Sequence, residues 1–162
     1  MGLVGSEMCI RDSAKPSLLD VMGRADLVII NDGEARMLSE DENLVRAMHE
    51  LAAATQTSTL IVKRGEHGVL ALHNGDLVAL PAVPTANVVD PTGCGDTFAG
   101  ALAARLSCGE GNLTTAELRD GLMVATVMAS FTLEAFGTEA LRGLDSSRFE
   151  LRMSEYRRML GL

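Results

Sequence analysis

Residues 90–100 read Asp90-Pro91-Thr92-Gly93-Cys94-Gly95-Asp96-Thr97-Phe98-Ala99-Gly100, small residues and two carboxylates in a turn that runs straight into an apolar helical pattern. Gly93 and Gly95 lack the Cβ atoms that would hold a ligand away from the backbone. The first amides of the helix that follows have no acceptor within it, and together with the helix dipole they attract phosphate. Asp96 stands at the same helix start, where it would repel a phosphate unless its task is to take a proton from an incoming hydroxyl. The chemistry these residues suggest is phosphoryl transfer. Without its surroundings, a Gly-x-Gly-Asp tetrapeptide also reads as a glycine turn with an N-capping aspartate.

The flanking sequence alternates helical and strand patterns from Leu18 onward, as in an α/β unit. Leu18 to Arg24 closes a helix. Leu27-Val28-Ile29-Ile30 suits a buried parallel strand that ends where a polar loop begins at Asn31-Asp32-Gly33-Glu34. Leu44, Ala47, Met48, Leu51 and Ala52 recur at helical spacing, and Leu60-Ile61-Val62 is the next buried strand. Residues 68–72 and 77–80 form a β-hairpin around Asn74-Gly75, which supplies the positive φ angles. Beyond it the patterns predict helices over Thr97–Leu106, with small residues for close packing, over Leu118–Ala135 with a Thr114 or Thr115 cap and Gly137 as its stop, and over Ser146–Leu160.

The Asp90–Asp96 stretch resembles the ribokinase-like, or PfkB, family of carbohydrate and nucleoside kinases, whose motif D-T-x-G-A-G-D appears here as D-P-T-G-C-G-D. Pro91 and Cys94 depart from that motif in side chain but suit the same backbone. The resemblance spans about residues 16 to 145 and implies the C-terminal half only of a three-layer α/β/α fold, a mostly parallel sheet with a β-hairpin. It implies Asp96 as catalytic base and the amides of Gly93, Cys94 and Gly95 as anion hole. Asn31-Asp32-Gly33-Glu34 fits the family's N-x-x-E motif, so Asn31 and Glu34 are expected to organise Mg2+ through water, although a turn or helix start uses the same residues. Lys63 to Gly68 is similar to the loop that lies along the nucleotide, making Lys63, Gly65 and Gly68 nucleotide-binding; a hairpin-entry turn is the other account. Asp90 and Thr92 correspond to a monovalent-cation site, and Val124 to Ser130 to the wall of the adenine pocket. ATP, Mg2+ and K+ are the implied cofactors.

Composition narrows the alternatives. At 162 residues and 47% hydrophobic, the chain can bury a core, and residues 14–162 are expected to be a partial kinase domain, its nucleotide-binding half. Met1 to Ser13 fits neither the periodicity nor the family pattern and is expected to be a non-native leader. Net charge is −8 and no run of Lys or Arg exceeds a pair, which argues against nucleic acid and for a small-molecule sugar or nucleoside partner. No apolar run approaches the ~20 residues that span a bilayer, so a cytoplasmic protein without membrane contact is expected. Cys9, Cys94 and Cys108 share no metal-ligand spacing; Cys94, at a helix start, would have a lowered pKa but no partner base. A dinucleotide-binding motif fails, because the third glycine should fall at Phe98 and falls at Gly100. The expected activity is ATP-dependent phosphorylation of a sugar or nucleoside hydroxyl; the alternative is a nucleotide-binding fragment that is inactive alone, because the substrate-holding segments are missing.

Overall fold

Leu27–Asn31 (β2) and Thr59–Lys63 (β3) lie side by side and parallel, with Val28 opposite Leu60 and Asn31 opposite Lys63. The computed structural model describes residues 3–4, 15–109 and 112–162. In it Leu3–Val4 (β1) pairs parallel with Leu27 and Val28, while Val69–His73 (β4) pairs antiparallel with β3. With Asp76–Leu80 (β5) they form one sheet in the order β1-β2-β3-β4-β5. The expectation for Met1–Ser13 otherwise lies outside the described residues.

Four of the five β2 residues and four of the five β3 residues are buried on both strand faces, the pattern of a sheet interior rather than of a sheet with one wet side. Helices α1 (Lys15–Met22), α2 (Asp32–Ser39) and α3 (Leu44–Thr55) close the crossovers. Met22, Leu38, Met48 and Leu51 from these helices join Val28, Ile30, Leu60, Val62, Leu70 and Leu72 in one core cluster. The hairpin turns at Asn74 (φ +50°) and Gly75 (φ +92°), as two positive φ angles require. These elements make one compact unit, residues 1–79; residues 80–162 make a second.

The second unit is helical: α4 (Cys94–Leu106), α5 (Thr115–Thr132), α6 (Glu139–Arg142) and α7 (Ser146–Met159). Of the two expected caps of α5 Thr114 is the one used, in a capping box, its Oγ1 accepting from the Glu117 amide and Glu117 returning a carboxylate to the Thr114 amide. The helix stops at Thr132 rather than running to Ala135, so Gly137 is not its stop. Close helix packing was expected from the small residues of α4. Gly100 is exposed and has no neighbour where a Cβ would stand; the close approach is instead at Gly121 of α5, where a Cβ would meet Leu102 Cδ1 at 2.9 Å and Leu106 Cδ2 at 3.1 Å. Helix α7 is tied to α5 by Arg152, whose guanidinium lies 3.6 Å from the Phe131 ring centroid and donates to Glu134 at 2.6 Å. Among the described residues no helix is long and apolar enough to cross a membrane.

Two outcomes are expected. Gly121→Ala should stay within about 1 kcal/mol of wild type in urea denaturation, since the displaced Leu102 methyl offsets the ~1 kcal/mol of helix propensity gained. Gly121→Leu should lose about 1–3 kcal/mol, because the larger group overpacks the same contact. Tyr156, the only tyrosine, is buried with its hydroxyl donating to Pro81 O at 2.6 Å, and burial pushes its pKa up to about 12. The folded state then holds this proton more tightly than an unfolded chain, whose phenol titrates near ~10. Its stability contribution is complete below pH ~10 and is lost as pH rises towards 12; phenolate absorbance in water and in urea measures both ends of that window.

Candidate functional site

The turn that opens α4 is built by two local closures. Asp90 Oδ1 accepts from the Thr92 amide at 2.9 Å, and the Cys94 amide donates to Pro91 O at 3.2 Å. Gly93 sits between them at φ +83°, ψ −5°, the conformation of the third residue of a type II turn, which L residues rarely adopt. The helix therefore starts at Cys94, three residues before the expected Thr97, and Asp96 is the third residue of its first turn with its side chain exposed.

This geometry sorts the expected anion-hole amides. The Cys94 amide is turned inward to close the turn, a departure from the expectation that all three point outward. The amides of Gly95 and Asp96 lie in the first helical turn, where no carbonyl of the helix can accept them. The Cys94 thiol also departs from expectation. Burial first, and the Asp90 carboxylate second, push its pKa up, opposite to the lowering expected at a helix start. Asp90 itself is held below the usual carboxylate range by the Thr92 amide and hydroxyl, a local cap of the kind aspartate makes before a turn.

Two contacts that the sequence pattern did not signal hold this turn from behind. Leu133 O, just past the end of α5, accepts from the Val89 amide at 2.7 Å and from the Asp90 amide at 3.3 Å. Thr132 Oγ1 donates to Thr97 Oγ1 at 2.9 Å. Within the expected adenine wall, Ala125, Thr126, Val127 and Ser130 are buried, which leaves Val124, Met128 and Ala129 partly exposed.

In the first unit, the expected polar loop at Asn31–Glu34 is a helix start. Asn31 is the last residue of β2 and the N-cap of α2: its Oδ1 accepts from the Glu34 amide at 2.8 Å, while Glu34 Oε2 accepts from the Asn31 amide at 2.9 Å. The spacing that fits a metal-organising motif is also that of a capping box, because both need an amide and a carboxylate three residues apart. Lys63 ends β3 opposite Asn31, so the strand pairing brings these two backbones together. The chain then folds into a short 3₁₀ turn, Gly65–His67, closed by Arg64 N to Gly68 O at 2.8 Å. Gly68, at φ +85° and ψ −139°, occupies backbone space that other residues avoid. Arg64, within the same loop, donates to His67 O at 2.5 Å, and its Nε is buried with no partner among the described residues. His73 is buried, with Nδ1 2.9 Å from Thr59 Oγ1 and Nε2 3.0 Å from Asn74 Nδ2.

Comparison with known proteins decides the family. The profile of the pfkB family carbohydrate kinases matches residues 5–142. The chain belongs to that family. It is 35% identical over 97 residues to a cytidine kinase of Thermococcus kodakarensis, covering 57% of this chain and 33% of the relative. Against a 2-dehydro-3-deoxygalactonokinase of Haloferax volcanii it is 31% identical over 106 residues, again covering 33% of the relative, with 65% of this chain. Among solved structures, aminoimidazole riboside kinase of Salmonella enterica, complexed with aminoimidazole riboside and an ATP analogue, aligns with a TM-score of 0.78 at 22% identity over 94% of this chain and 52% of that one. A fructokinase of Vibrio cholerae bound to fructose, ADP and potassium aligns with a TM-score of 0.76 at 21% identity, over 86% and 44%. These likenesses establish the ribokinase-like α/β fold. The chain spans about a third of the length of the curated relatives and about half of the solved kinases.

The thiol geometry has a direct readout. At neutral pH Cys94 should alkylate more slowly than exposed Cys108, and Asp90→Asn should speed Cys94 alone by removing the carboxylate that holds its pKa up. Peptide mapping after timed alkylation separates the two rates; equal rates would contradict the turn geometry.

Proposed function

We propose that this chain carries the nucleotide-handling half, residues 14–162, of an ATP-dependent kinase that phosphorylates a sugar or nucleoside hydroxyl. The observation that carries it is Asp96, an exposed carboxylate in the first turn of a 13-residue helix, next to backbone amides that have no acceptor in that helix. Amides so placed favour a phosphate and stabilise charge that develops on a transferred phosphoryl group. Asp96 accepts the proton of the attacking hydroxyl at its carboxylate, a role in which general bases contribute about 10²–10⁴-fold. Gly93 and Gly95 form the anion hole, with Cys94 closing the turn beneath them.

Lys63, Gly65 and Gly68 are assigned to the nucleotide in the same reading: the glycines keep the backbone bare, and Lys63 brings a positive charge. Asn31 and Glu34 suit Mg2+ held through water. Glu34 commits Oε2 to the cap, and among the described residues no three His, Cys, Asp or Glu side chains converge into a direct cage. When bound, Mg2+ neutralises phosphate charge. Asp90 and Thr92, drawn together by their turn, are assigned to a monovalent cation. A second reading is favoured by coverage: a chain spanning a third to a half of its relatives binds nucleotide but lacks what holds the acceptor in line, and turns nothing over alone.

Calorimetric titration of Mg-ATP into the chain and into Asp96→Asn, followed by phosphate transfer to a panel of sugars and nucleosides, tests both. Binding is expected in both proteins, and any turnover should fall by about 10²–10⁴-fold in the variant. Binding without turnover in wild type selects the second reading, and a folded chain that binds no Mg-ATP removes the assignment.

A further inference from the structure

We infer that Thr132 is a positioning residue for Asp96, acting through Thr97. The inference rests on the reading of Asp96 as the base. It starts from how the hydroxyls of α5 are used. A threonine or serine inside a helix ordinarily bonds back to a carbonyl three or four residues earlier. Thr126 does so to Leu122 O at 2.7 Å, and Ser130 to Val127 O at 2.6 Å. Thr132, in the last turn of the same helix and 2% exposed, instead donates across to Thr97 Oγ1 on α4 at 2.9 Å.

Thr97 follows Asp96 directly and its amide makes the first intrahelical bond of α4, to Gly93 O at 2.9 Å. Fixing the Thr97 side chain therefore fixes the rotation of the turn from which Asp96 projects. The other arm of the turn is held by the next residue of the same helix end, since Leu133 O accepts from both Val89 and Asp90. Thr132 Cγ2 stands 3.9 Å from where a Gly93 Cβ would be, which places its methyl beneath the αL residue that the turn depends on. One helix terminus thus grips the loop before the turn, the glycine within it and the helix after it. The Leu133 grip is backbone and survives substitution; the Thr132 grip is a single side-chain donor.

Thr132→Val keeps the shape and deletes the donor. Cys94, at the first position of α4, reports the turn without any ligand, and Cys108 near the other end of the helix serves as the control. The net worth of one hydrogen bond corresponds to about a 2- to 12-fold change in a local opening equilibrium. Thr132→Val is expected to raise the Cys94 alkylation rate by about that factor, leave Cys108 and the Tyr156 titration unchanged, and weaken Mg-ATP binding; Thr132→Ser should restore wild-type values. Thr97→Val should reproduce the effect from the other side of the pair, and decides the matter if Thr132→Val does not fold. The double variant should be no worse than either single one. An unchanged Cys94 rate, additive effects, or a rise at Cys94 and Cys108 together overturns the inference. If wild type binds no Mg-ATP, the kinase reading falls, and the Cys94 comparison still decides whether Thr132 sets the turn.

Discussion

At Gly93 the backbone passes through φ +83°, and the α4 helix begins on the next residue. A side chain there would cost about 1–2 kcal/mol in left-handed strain. The alternative is to let the turn open, which would draw the helix start downstream and leave Asp96 in a loop. With Gly93 in place, the type II turn consumes the Cys94 amide, the amides of Gly95 and Asp96 stay free of helical partners, and the Asp96 carboxylate is delivered beside them. Every property attributed to the site in the second unit follows from where that helix starts.

Both units fix a helix start by a local closure, a turn before α4 in the second and a side-chain cap before α2 in the first. In the first unit β2 passes into α2 at Asn31, and the capping box there spends the Asn31 Oδ1 and one Glu34 oxygen on backbone amides. This leaves Glu34 Oε1 and the Asn31 amide nitrogen for whatever approaches the strand end. Capping and cation organisation are not rival accounts of N-x-x-E, since one carboxylate has two oxygens.

The strands, the hairpin and most helices were legible because their signals are local: apolar runs of strand length, Asn-Gly at the turn, threonine and glutamate three apart before α5. The α4 start was misplaced by three residues because sequence spacing does not say which glycine takes the left-handed conformation. The small residues of α4 do not say where its closest contact falls: it is at Gly121 of α5, since which face of a helix meets its neighbour depends on the partner's side chains, here Leu102 and Leu106. Thr132, Leu133 and Arg64 carried no signal. Each acts through hydrogen bonds to residues that only folding brings near, or to a carbonyl whose direction the turn sets. The direction of the Cys94 pKa shift is not legible because its largest cause is burial, and because the sequence shows Asp90 four residues away without showing that the turn brings it close.

The buried His73 has a consequence for the sheet. With one ring nitrogen facing Thr59 across the β3–β4 ladder and the other facing Asn74 in the turn, the imidazole is satisfied in a single alignment of the two strands. A shift of one residue would move His73 to the opposite face and away from the Thr59 hydroxyl. Apolar neighbours such as Ile61 and Ala71 tolerate sliding, since one methyl contact replaces another; a buried imidazole does not. The β3–β4 pairing is thus indexed by a polar tooth, and the hairpin strand that could slide along β3 is held to one phase.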